Sequence, residues 1–179
     1  SELRAHRRGS VYRSIALVDA RGHGIAWSGE WSPGPRAVER TALSRALADG
    51  QAAHAGPFRD PATGAIVMDF VAPVGVGVAR HALVLRVPLE DALYPLLHGR
   101  TTIASEETYL ARRDGEDALS LSPLRFRPGA PLDFRMPLSR ANVIATSVLS
   151  GARPLDRPLR GFDYRGAEVI AWSLPVAGT

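Results

Sequence analysis

The sequence has no cysteine and no lysine in 179 residues, and only one asparagine (Asn142) and one glutamine (Gln51). The missing cysteine excludes disulfides, thiol catalysis and thiolate zinc sites. It suits either the cytoplasm or an extracytoplasmic space where a free thiol is a hazard. All 22 basic residues are arginine. Lys and Asn codons are AT-rich, so the bias reads as the mark of a GC-rich bacterial genome. No apolar run approaches the ~20 residues of a membrane span, and no signal-peptide pattern is present.

What is there describes a folding chain. Apolar residues make up 45% and charged residues 22%, a composition that buries a core. The length suits one ordinary domain or two small ones. A pI near 10.3 points toward nucleic acid, but the net charge is only +4 and an all-arginine base count itself raises the pI. The arginines are scattered singly with acids close by, so no nucleic-acid partner is expected. The chain opens in mid-pattern at Ser1-Glu2-Leu3-Arg4 and stops after a strand-like segment. It reads as a piece of something longer.

Tyr12 to Asp19 alternates, with Ile15 and Leu17 facing one way and Ala16 and Val18 the other, which predicts a strand with two apolar faces. Asp19-Ala20-Arg21-Gly22 turns the chain, and Gly24 to Ser28 returns as a second strand. Ser32-Pro33 has the chemistry of a helix start. Arg36 to Asp49 carries Val38, Ala42, Leu43, Ala46 and Leu47 on one stripe, with Gly50 as its C-terminal cap. Gly56-Pro57-Phe58-Arg59-Asp60-Pro61 is expected to be a loop. Ile66–Val74 and His81–Val87 are expected as strands joined near Gly77.

A second round follows. Leu89 to His98 predicts a short helix, and Thr108–Arg112 with Ala118–Leu121 a hairpin around Asp114-Gly115. Phe134–Leu138 is a short strand candidate. Ser139 caps a predicted helix carrying Val143, Ile144, Val148 and Leu149, and Gly151 ends it. Gly161–Thr179 holds a hairpin about Tyr164-Arg165-Gly166. The element order repeats with a period near 90 residues, which predicts an α+β fold of two antiparallel sheets flanked by helices.

Several stretches carry a resemblance: Tyr12-Arg-Ser-Ile-Ala-Leu-Val-Asp-Ala-Arg-Gly22, Gly56-Pro-Phe-Arg-Asp-Pro-Ala-Thr-Gly64 and Phe70-Val-Ala-Pro-Val74. Glu107 to Gly115, Leu119 to Arg125, Gly161 to Gly166 and Val169 to Val176 continue it. In order and spacing they resemble the double Cache family, tandem PAS-like sensor domains of bacterial membrane receptors. The resemblance implies two PAS-like modules: residues 1–87 as a membrane-distal ligand module and 88–179 as a membrane-proximal module lacking its last strand. It implies a periplasmic location, a parent held in the inner membrane by helices before Ser1 and after Thr179, and a homodimer formed through the flanking helices. The implied parent is a two-pass histidine kinase or diguanylate cyclase/phosphodiesterase.

No catalytic constellation is visible, and no cofactor or metal site is expected. The histidines His6, His23, His54, His81 and His98 lack metal-ligand spacing. There is no nucleophile elbow and no phosphate loop. Glu106-Glu107 and Glu116-Asp117 read as solvated surface, and Asp163 to Gly166 as a turn. The informative charges lie inside strands. Asp69 and Arg86 fall almost opposite one another if the Ile66 and His81 strands form a hairpin. Such a pair is either a plain ion pair or part of a ligand pocket, with Arg86 a bidentate grip for a carboxylate. Phe58, His54, Trp27 and Met68 are the candidate pocket wall, with Trp31 beside them.

In the family's amino-acid-binding branch, an acid near the end of the last strand holds the ligand's amino group; Arg86 stands there. The branch's Arg-x-Trp-Tyr element has no counterpart in Gln51 to Phe58. The expected partner is therefore a small anionic molecule. A ligand-independent dimerisation or interaction module is the alternative.

Overall fold

The computed structural model describes residues 11–30, 37–75, 81–98, 103 and 105–176. Trp31, the Ser32-Pro33 helix start, the Gly77 turn, Gly99 and His6 lie outside them. The chain divides into two units, residues 1–100 and 101–179. The short helices after residue 88 therefore belong to the first unit, whereas the sequence reading began its second module at residue 88. The Leu89–Ala92 helix packs back on the strands that precede it, and Leu89 and Tyr94 are buried.

The first unit is built from β1 (Ser14–Asp19), β2 (Gly24–Gly29), α1 (Ala37–Asp49), β3 (Ala53–Arg59), β4 (Ile66–Val74), β5 (His81–Pro88), α2 (Leu89–Ala92) and α3 (Tyr94–His98). Its five strands form one sheet in the order β2-β1-β5-β4-β3, with every neighbouring pair antiparallel. The last strand is thus inserted between the first hairpin and the second. Side chains alternate across a strand, so β1 feeds two faces. Ala16 and Val18 join Val71, Ala82, Val84 and Ala55 on one face, where Ala42, Leu43 and Ala46 of α1 cover them. Leu47 packs against the margin of this core. Alanine-rich α1 suits a helix lying close to a sheet, and Gly50 ends it at a φ of 66°, its N–H bonding to the Ala46 carbonyl at 3.0 Å.

One strand was hidden in the sequence. Gly56-Pro57-Phe58 reads as loop, yet it lies within β3. The register slips between Ala55 and Phe58, so the strand bulges where Gly56 takes a φ of 112°. β3 is an edge strand, where a proline without an N–H is tolerated.

The second unit holds β6 (Ala111–Asp114), β7 (Asp117–Ser120), β8 (Arg135–Pro137), α4 (Ile144–Leu149), β9 (Pro158–Phe162) and β10 (Glu168–Trp172). Its strands form a β6-β7-β8 sheet and a separate β9-β10 hairpin. The Ser139 cap is a correction. α4 starts at Ile144 behind Val143, with no side-chain cap, because Val143 is drawn into a bridge with Phe162. The Thr146 hydroxyl lies within donating distance of two carbonyls, Arg140 at 2.5 Å and Val143 at 2.9 Å. The fold is α+β, with antiparallel sheets flanked by short helices.

Candidate functional site

β4 and β5 pair so that Asp69 stands directly opposite Arg86. Arg86 donates from Nε to Asp69 Oδ1 and from Nη2 to Asp69 Oδ2, both at 2.8 Å. This is the parallel two-bond geometry in which guanidinium and carboxylate match best. A third residue completes the cluster: Arg86 Nη1 donates to Asp60 Oδ2 at 3.3 Å. Asp60 is held from its other side by the turn it opens. Its Oδ1 accepts the Ala62 N–H at 2.9 Å, and its carbonyl accepts the Gly64 N–H at 2.7 Å. The Phe58 ring lies near the guanidinium, 5.4 Å from Cζ to ring centroid.

All three charged residues are out of water, Asp69 at 0%, Asp60 at 1% and Arg86 at 2% exposure. Burial of ions is unfavourable, and only close pairing with hydrogen bonds offsets it. Arg86 and Asp69 sit in one row across the sheet: Gly29, Ser14, Arg86, Asp69 and Ala55.

Of the residues expected in the pocket, Arg86, Asp69 and Phe58 come together. Trp27 is on the same face, paired with Ala16, but β1 separates its strand from β5, and it is 50% exposed. His54 and Met68 are not brought to the cluster. They pair with Phe70 and Val87 and project from the opposite face. Each is one residue from a cluster-facing position, and a strand's period of two turns such neighbours away. The edge of Arg86 expected to grip a ligand carboxylate is occupied by Asp69.

Asp60 and Ser14 were not foreseen. The signal for Asp60 was its place at the head of an Asp-Pro-Ala-Thr-Gly turn, which fixes the backbone but says nothing of what the second carboxylate oxygen meets. Ser14 carried no signal beyond its parity with Ala16 and Val18. The exposed His23 leans on Asp19, Nδ1 to Oδ2 at 3.2 Å. The His23 and Arg21 backbone N–H groups bond Asp19 Oδ1, each at 2.8 Å. These bonds, the His23 N–H first, hold the Asp19 carboxyl below its ordinary range.

In the second unit the expected turn is present. Asp163 Oδ1 accepts the N–H groups of Arg165 at 2.8 Å and Ala167 at 3.0 Å, and Gly166 takes a φ of 86°. Burial pushes the Asp163 carboxyl up, but the Arg165 side chain and these N–H groups outweigh it and hold the carboxyl low. The neighbouring Tyr164 ties the turn down. Its hydroxyl donates to Glu107 at 3.2 Å and accepts the Phe126 N–H at 3.3 Å.

No family model and no curated protein matches the sequence. Solved structures do. An extracellular ligand binding receptor from Desulfohalobium retbaense DSM5692 superposes with a TM-score of 0.58 at 15% identity. The match covers 99% of this chain and 30% of that one, so this chain spans about a third of the receptor's length. The ligand-binding domain of the Pseudomonas aeruginosa PAO1 amino acid chemoreceptor PctC, in complex with GABA, gives a TM-score of 0.47 at 21% identity, over 73% of this chain and 56% of that one. Over almost its whole length, this chain shares its fold with an extracellular ligand-binding receptor.

Proposed function

We propose that this chain is the extracytoplasmic sensing region of a two-pass bacterial signalling receptor, with a small molecule bound by its first unit. The observation that carries the reading is the fold likeness to an extracellular ligand-binding receptor across 99% of the chain. The motif order read in the sequence supports it independently. The second unit is taken as a second such module lacking its last strand. The five strands of the first unit form one sheet, whereas those of the second form a β6-β7-β8 sheet and a separate β9-β10 hairpin. The parent is proposed to be a periplasm-facing histidine kinase or diguanylate cyclase/phosphodiesterase, anchored in the inner membrane and dimeric through its flanking helices. A ligand acts there by differential affinity for two arrangements of the flanking helices.

The proposed site is the Arg86–Asp69–Phe58 face with Asp60 added. An anionic ligand is disfavoured, because Asp69 already takes the bidentate edge of Arg86. Enclosure of that cluster within the chain's own carboxylates favours the second reading, a ligand-independent dimerisation module. A thermal-shift screen of amines, polyols, amino acids and small carboxylates separates the two. Sensing predicts a saturable rise in Tm with one of them. A flat response to the whole panel, with a dimer present in sedimentation, supports the interaction module.

A further inference from the structure

Ser14 lies in the same row as the charged cluster, directly opposite Arg86 on the neighbouring strand. Its parity with Ala16 and Val18 puts its side chain on the face that carries Arg86 and Asp69. It is 0% exposed. Among the described residues its Oγ is a buried polar atom with no hydrogen-bond partner. An unpaired hydroxyl in a protein interior is unfavourable, and native structures complete such atoms with water or a ligand. On the same face the row of Ser14, Arg86 and Asp69 borders the row of Ala16, Val84 and Val71, which belongs to the buried apolar cluster under α1.

We propose that the Ser14 hydroxyl contacts the ligand, accepting a hydrogen bond from a small molecule held over the Arg86–Asp69 row. In the empty protein a water takes that place. The inference rests on the sensing reading above. The guest's class follows from the pairing of Arg86. Arg86 already gives its Nε and Nη2 to Asp69 and its Nη1 to Asp60, so the guanidinium edge that would hold an anion is engaged. A neutral or cationic molecule with an N–H or O–H to donate suits the site: a small amine or polyol.

The test is calorimetric titration and thermal shift of the wild type, Ser14→Ala and Ser14→Thr with primary amines, polyols and, as controls, small carboxylates. An amine or polyol is expected to bind the wild type. Ser14→Ala should bind it roughly tenfold more weakly, and Ser14→Thr, which keeps a hydroxyl, should recover most of the loss. Equal affinity in wild type and Ser14→Ala overturns the role of Ser14 and leaves the sensing reading standing. Binding of carboxylates alone overturns the guest's class. No binding by the wild type to any compound overturns both the sensing reading and the role of Ser14. A crystal structure of the ligand-free protein gives a second readout. A water within hydrogen-bond distance of Ser14 Oγ is expected. An Oγ in contact with nothing, or bonded to another segment of the chain, overturns the proposal whatever the panel shows.

Discussion

Arg86 is the residue on which two buried carboxylates depend. Its removal leaves Asp69 and Asp60 without the guanidinium they share, and loss of one partner from a buried ion pair is destabilising by about 3–5 kcal/mol. Arg86→Ala should lower the urea midpoint by that equivalent, and a change under about 1 kcal/mol would show that the cluster does not hold the sheet. Arg86→Lys should also destabilise, since an ammonium cannot reproduce the two parallel bonds to Asp69. Two tyrosines make a separate prediction. Burial pushes the phenols of Tyr94 and Tyr109 up to about 12. The neutral phenol is the form the fold accommodates. The stabilisation is complete below the unfolded value near 10 and is lost as pH rises through about 12. Ultraviolet titration should show Tyr94 and Tyr109 ionising late, with Tyr164 also shifted upward by burial, and Tyr109→Phe should remove one late step.

At the scale of elements, turns and registers were legible where the chemistry is local. The Asp69–Arg86 register follows from strand alternation and hairpin length. The 66–74 strand and the Asp163 turn also stand where the sequence put them. β3 was not legible, because Gly56 and Pro57 carry loop chemistry and only an edge position with a bulge makes them a strand. The start of α4 was missed for the same kind of reason: a bridge from Val143 to Phe162 overrides the cap signal at Ser139.

Two predictions belong to this scale. Gly29 ends β2 at a φ of 93°, and a Cβ there would run into the Arg13 carbonyl and Ser14. Gly29→Ala should destabilise by about 1–3 kcal/mol in chemical denaturation, whereas Gly50→Ala, with open space around it, should be milder. The Asp163 carboxyl, held low in the fold, stabilises the β9-β10 turn above its unfolded value near 3.8, and that contribution disappears as pH falls through the lower folded value. Asp163→Asn should flatten the acid limb of the stability profile, and an unchanged limb would count against the turn's dependence on charge.

At the scale of the whole molecule, the division into residues 1–100 and 101–179 has a direct consequence. The first unit contains a complete five-stranded sheet, its covering helix and the whole candidate site. Residues 1–100 expressed alone should give a cooperative thermal transition and keep whatever ligand response the full chain has. Loss of the response with the fold intact would place the second unit in the site.

Composition, alternation and turn chemistry by themselves determined the α+β class and the one charged pair worth following. These are properties of neighbours in the chain, set by backbone geometry and by the period of a strand. The tertiary structure alone decided which residues share a face. It turned His54 and Met68 away from Arg86, brought Asp60 in from a turn, and left the Ser14 hydroxyl buried beside the cluster without a partner among the described residues. Burial and long-range pairing depend on how strands distant in sequence stack into one sheet, and no local pattern encodes that order.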